Sequence, residues 1–187
     1  VKPLADGLEI TNGPCRVVLS RSKFAPPGTI WRTGEAQPLV ESTAGLTLTD
    51  AVGQTYTSTG APADKLVVEQ AGQVRTVVLA EGKLQGPSGS LMRYRCRLSF
   101  WAGFPGVPMV ITLVNDQGTS VVPPTMTEVT SLTLPLTMPG SQAPARHWLQ
   151  DYDDRFIVEE NGQRTVQQGH GAGAAALGGV CVTLKDF

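Results

Sequence analysis

Charge, cysteine and aromatic residues are all scarce in this chain, and long apolar runs are missing. Only 17% of the 187 residues are charged, and 15 Lys and Arg stand against 16 Asp and Glu for a formal net charge of -1. A nucleic-acid or anionic-membrane surface needs a basic surplus to neutralise phosphate, so no nucleic-acid partner is expected. No run approaches the roughly 18 apolar residues of a membrane-crossing helix, so membrane insertion is not expected either. Three cysteines, Cys15, Cys96 and Cys181, are too few and too widely spaced for a disulfide scaffold, and none belongs to a C-x-x-C pair. No Asn-x-Ser/Thr sequon occurs. Helical periodicity is almost absent. The start, Val1-Lys2-Pro3-Leu4, lacks an initiator Met and a signal-like pattern, which reads as a mature chain or an excised piece.

Turn formers, by contrast, are abundant. The 21 Gly and 14 Pro exceed the usual combined share of about 12%, with no G-X-Y period and no low-complexity tract. They fall between short alternating or β-branched runs, which predicts strands near 7–11, 15–20, 45–49, 65–70, 73–81, 91–101, 107–115, 126–138, 155–160, 163–168 and 179–186. The fold class that follows is all-β, a single barrel or β-sandwich domain of about ten short, mostly antiparallel strands over 1–187. A long surface loop or weak linker is expected at 139–146. Asn161-Gly162, between Phe156–Glu160 and Gln163–Val166, is the favoured two-residue hairpin sequence because both central residues need positive φ. Pro26-Pro27-Gly28, Gln70-Ala71-Gly72, Gly86-Pro87-Ser88-Gly89 and Pro123-Pro124 are further turn or loop signals. Ala172–Leu177 has helical leanings, but the glycines crowding it, each costing about 1 kcal/mol of helix, predict a loop or one short turn.

Alternation puts Cys15 with Val17 and Leu19, and Cys96 with Tyr94 and Leu98, on apolar faces, where both act as small buried hydrophobes. A Cys15–Cys96 bridge stays open on sequence alone.

Several stretches together carry a family resemblance: Val67-Val68-Glu69-Gln70-Ala71-Gly72-Gln73-Val74-Arg75-Thr76-Val77-Val78 with Glu81-Gly82-Lys83, then Tyr94-Arg95-Cys96-Arg97-Leu98-Ser99-Phe100-Trp101-Ala102-Gly103-Phe104-Pro105, Val129–Leu136 and Gly178–Phe187. Their order resembles the N-terminal β-domain of the exo-rhamnogalacturonan lyase-like proteins, polysaccharide lyases whose first domain is a RIFT-type barrel. The resemblance implies a β module set ahead of further domains. It carries over no catalytic residue, because no segment matches a catalytic motif.

Elimination from a uronate needs a base for the proton α to the carboxylate and a cation for the developing charge. His147, His170 and Tyr152, with Arg93, Arg95, Arg97 or Arg155, supply these types, but no spacing couples them, so no catalytic residue is assigned. Period 2 places Arg93, Arg95 and Arg97 on one strand face, where they could pair bidentately with the carboxylates of an acidic polysaccharide or with acidic neighbours across the sheet. Trp31 and Trp148, flanked by basic residues, are the aromatic candidates for sugar stacking, while Trp101 is read as core or rim packing. Asp151-Tyr152-Asp153-Asp154 lacks the spacing of an EF-hand loop and reads as an acidic turn rather than a calcium site. Gly169–Gly173 lacks the third glycine of a dinucleotide loop. No metal and no cofactor are expected.

The sequence thus predicts a non-catalytic, extracellular or periplasmic, carbohydrate-associated scaffold. Two other readings stand beside it: a self-assembling fibre subunit that donates residues 1–10 to a neighbour's sheet, and a polysaccharide lyase.

Overall fold

The computed structural model describes residues 1–116 and 128–139 in full, and the strand backbones at 146–150, 155–160, 163–168, 172–177 and 180–185. The chain divides into two compact units, Val1–Thr137 and Met138–Phe187. Residues 140–145 of the expected loop or linker lie outside the described residues, as do Pro123-Pro124.

The first unit is a β-sandwich of eleven strands, with no helix among the described residues. One sheet is the antiparallel meander β1 (Lys2–Leu4), β2 (Gly7–Thr11), β3 (Cys15–Ser20) and β4 (Thr29–Arg32), in that order. The other contains β5 (Thr47–Asp50), β6 (Thr55–Thr57), β7 (Lys65–Ala71), β8 (Arg75–Gly86), β9 (Gly89–Trp101), β10 (Met109–Val114) and β11 (Val129–Thr133). Its order is β10-β9-β8-β6-β5-β11, and β7 also pairs with β8. The long hairpin of β8 and β9 runs from Gly86 opposite Gly89 to Arg75 opposite Trp101. Pro87-Ser88 forms its tip, where the sequence signals a turn. β7 and β6 share the edge of β8 that β9 leaves free.

Alternation decides which side chains face inward. Cys15, Val17 and Leu19 are buried along β3 while Arg16, Val18 and Ser20 are only partly so. From the facing sheet come Leu48, Val78, Ala80, Leu84, Cys96, Leu98 and Phe100, and all pack into one core with Ile10, Val17 and Leu19. Fully burying a side chain such as Leu98, which is 0% exposed, contributes about 1.5–3 kcal/mol. Phe24 stacks on Tyr94, ring centroids 5.6 Å apart. The Tyr94 ring lies on Gly82, its register partner. A Cβ there would sit 2.5 Å from the Tyr94 hydroxyl oxygen, so only glycine leaves room for the ring. Ser58, 0% exposed, donates to the Phe24 carbonyl at 2.7 Å and accepts from the Leu46 N–H at 2.9 Å. Its hydroxyl satisfies backbone groups that no strand partner reaches.

Cys15 and Cys96 are buried and free, in strands of opposite sheets, so the bridge left open by sequence is not formed. The Cys15 Sγ donates to the Pro105 carbonyl at 3.4 Å.

The second unit contains β12 (Arg146–Gln150), β15 (Ala172–Leu177) and β16 (Val180–Lys185) in one antiparallel sheet, and the hairpin β13 (Arg155–Glu160) with β14 (Gln163–Gln168). The hairpin has the register expected from Asn161-Gly162, with Glu160 opposite Gln163; those two residues themselves lie outside the described ones. β15 corrects the loop expected at 172–177: pairing with β12 and β16 overrides the low strand propensity of Ala and Gly. β1, β4, β6 and β12 were not predicted either. The first three are only three or four residues long, too short for alternation to register. β11 is shorter than the expected 126–138, ending before Pro135, which has no N–H for a ladder.

Candidate functional site

The side of β9 turned away from the core carries Arg93, Arg95, Arg97, Ser99 and Trp101, because Tyr94, Cys96, Leu98 and Phe100 take the inner positions. The arginine row expected from period 2 is therefore real. Each member has a carboxylate partner: Arg93 Nη2 reaches Asp64 Oδ2 at 3.0 Å, and Arg95 Nε reaches Glu81 Oε1 at 2.6 Å. Arg97 binds Glu69 through both Nε, at 2.7 Å, and Nη2, at 2.9 Å. Two of these pairs cross a strand. Asp64 immediately precedes β7, Glu69 lies within it, and β8 separates β7 from β9, so the pairs tie the outer strands together over the middle one. Leu79, on this face of β8 between Val67 and Arg97, is only 4% exposed.

The ion pairs leave their mark on protonation. The hydrogen bond from Arg97 holds the Glu69 carboxyl below the ordinary glutamate value, and the bond from Arg95 does the same for Glu81. The pairing nevertheless leaves the face cationic. Strands β7, β8 and β9 carry Lys65, Arg75, Lys83, Arg93, Arg95 and Arg97 against Glu69 and Glu81, with Asp64 alongside. Lys83 stands directly opposite Arg93, a like-charge placement that opposes pairing.

Trp101, read as core or rim packing, is not in the core. It is 39% exposed, at the end of the arginine row, with the Arg75 guanidinium 5.1 Å from its ring centroid. Arg75 Nη2 also donates to the Ser99 hydroxyl at 3.0 Å. The strand register held the signal for this, since Trp101 has the parity of Arg97 rather than of Leu98.

The family model of the PcRGLX-like protein central β-sandwich domain matches residues 26–147, more than half of the chain. The chain belongs to this PcRGLX-like family. No curated protein and no solved structure matches it. Membership bears out the resemblance to rhamnogalacturonan lyase-like β-domains. Within that likeness, the matched model is a central sandwich, where the resemblance pointed to the front barrel; the two stacked sheets accord with the sandwich.

The other predicted residues of the PcRGLX-like chain belong to other elements or lie outside the described residues. Trp31, on β4, is partly buried, and Arg16 stacks on its ring with the guanidinium carbon 4.2 Å from the centroid. That puts it in the sheet opposite the arginine row. Arg16 also approaches Glu9 at 3.7 Å. The backbones of Trp148 and His147 lie in β12 and that of Arg155 in β13, but their side chains are outside the described residues. Tyr152, His170, the acidic turn expected at 151–154 and the 169–171 stretch lie outside them entirely. Among the described residues no group of three or more His, Cys, Asp or Glu is placed to hold a metal ion. Residues 1–10 run in their own sheet, with β2 hydrogen-bonded between β1 and β3.

Proposed function

We propose that this PcRGLX-like chain is a non-catalytic, carbohydrate-associated scaffold module of an extracellular or periplasmic protein that handles acidic polysaccharide, with Arg93, Arg95 and Arg97 on its ligand-facing side. The family match supports the rhamnogalacturonan lyase-like setting. The observation that carries the scaffold reading is the use of the arginine row: Arg93 and Arg97 tie β7 to β9 across β8. Such a strapped sheet is a rigid support. The cationic excess left on the same face favours a carboxylate-bearing polymer over a neutral one.

Incubation with rhamnogalacturonan tests the non-catalytic part: no unsaturated-uronate absorbance should develop at high protein concentration, and a steady rise would identify a lyase instead. Affinity electrophoresis in gels containing the same polysaccharide tests the binding part. Retardation should weaken when Arg93, Arg95 and Arg97 are replaced by Gln; unchanged migration of a folded triple variant refutes the role of the row.

A further inference from the structure

Beyond Phe100 the chain makes a turn whose backbone is tied down on several sides. The Ala102 N–H donates to the Val74 carbonyl at 2.9 Å, the Gly103 N–H to the Asn12 carbonyl at 2.8 Å, and the Phe104 N–H to the Trp101 carbonyl at 3.2 Å. Asn12 Nδ2 donates to the Phe104 carbonyl at 2.7 Å. These bonds link the turn both to the start of β8 and to the connection between β2 and β3. The two aromatic side chains of the turn are nonetheless exposed, Trp101 at 39% and Phe104 at 49%. Large aromatics normally contribute their area to a core or an interface. Here the anchored backbone holds them outward, and Arg75 fixes the indole from one side.

Position supplies the second observation. Trp101 ends the row that begins with Arg93, so one strand face carries three guanidinium groups, each shared with a carboxylate, and an indole in line, about 7 Å between successive outward positions, with the buried Ser99 hydroxyl between them bonded to Arg75. Lys65 and Lys83, on the adjoining strands, have no carboxylate within ion-pair distance among the described residues. A flat apolar platform beside surplus positive charge matches a polymer with apolar ring faces and carboxylates along its length. A neutral glycan would leave the charge unused, and an apolar peptide would leave it unpaired.

We propose that Trp101 is the stacking platform for one sugar ring of an acidic polysaccharide laid along β9, with the carboxylates of that polymer facing the Arg and Lys side chains. This rests on the carbohydrate-associated reading above. Because platform and backbone are fixed before binding, little ordering cost attaches to the contact.

The test is affinity electrophoresis of the whole chain in gels containing rhamnogalacturonan or, as a neutral control, a glucan. The wild type should be retarded by the acidic polymer only. Trp101→Ala should weaken binding about tenfold, the size of a lost aromatic contact, and Trp101→Phe should retain most of it, both with a thermal transition close to wild type. Should Trp101→Ala unfold, Trp101→Leu keeps apolar bulk without the ring and reads the same loss. A folded Trp101→Ala variant retarded as strongly as wild type overturns the platform and leaves the scaffold reading standing. Wild type that is not retarded at all overturns both, and equal retardation by the glucan overturns the match to acidic polymers.

Discussion

Arg97 reaches across β8 to Glu69 and engages both oxygens of its carboxylate, at 2.7 and 2.9 Å. Glu69 sits where the pairing of β7 with β8 slips between Val68 and Gln70. The irregularity puts an extra residue into β7, and the arginine two strands away holds it. Geometry of this kind is bidentate and directional, yet both side chains keep a large share of their solvent exposure, 42% and 37%, so salt should screen it.

Acid should therefore weaken the sheet through Glu69 and Glu81. Both carboxyls sit below their ordinary value in the folded chain because Arg97 and Arg95 hydrogen-bond their charged forms. A depressed carboxylate pKa contributes stability above the unfolded value of about 4.3 and loses it as pH falls through the folded one. Thermal melts from neutral to acid pH should show a smaller acid-induced drop in Tm for Glu69→Gln than for wild type, with the variant already lower at pH 7. Parallel curves would mean that the pair contributes nothing.

Close approach of Gly82 to Tyr94 sets a second expectation. Gly82→Ala places a methyl group against the phenol ring and should cost about 1–3 kcal/mol by overpacking. Tyr94→Phe should be neutral or stabilising, because the buried Tyr94 hydroxyl has no hydrogen-bond partner among the described residues and an unsatisfied buried hydroxyl is a cost. Combining the two should recover part of the loss, since the hydroxyl oxygen is the nearest atom to the added methyl. Strict additivity in denaturant unfolding would contradict that geometry.

Ser58→Ala should destabilise by about 1–3 kcal/mol, leaving the Leu46 N–H and the Phe24 carbonyl without their side-chain partner. Ser58→Thr keeps the hydroxyl but adds a methyl where the residue is fully buried. It should also lose stability, through crowding. Urea unfolding separates these from a surface effect, which would leave the midpoint within error.

Cysteine labelling follows from burial. Desolvation raises the Cys15 thiol and pushes Cys96 up to about 12, so neither is a ready thiolate at neutral pH. Iodoacetamide should leave the peptides of Cys15 and Cys96 unmodified in the native chain and label both in urea without reductant. Failure to label them in urea would reveal a disulfide.

The sequence by itself determined the all-β class, because alternation and turn chemistry are local. β2 and β3 begin and end at the predicted residues, and the hairpin at Asn161-Gly162 has its predicted register. It also determined that Arg93, Arg95 and Arg97 share a face, which needs only the period of a strand. Tertiary structure alone decided what lies beside that face. The carboxylates of Asp64, Glu69 and Glu81 are 14 to 29 residues away along the chain, and only the order of β7, β8 and β9 brings them within reach. It likewise decided between barrel and sandwich, and made a strand of Ala172–Leu177. Trp101 shows the same division: its parity was readable from sequence, but its exposure depended on whether anything packs over that face. Pairing across a sheet is non-local, so its partners are written in the topology rather than in any single run of residues.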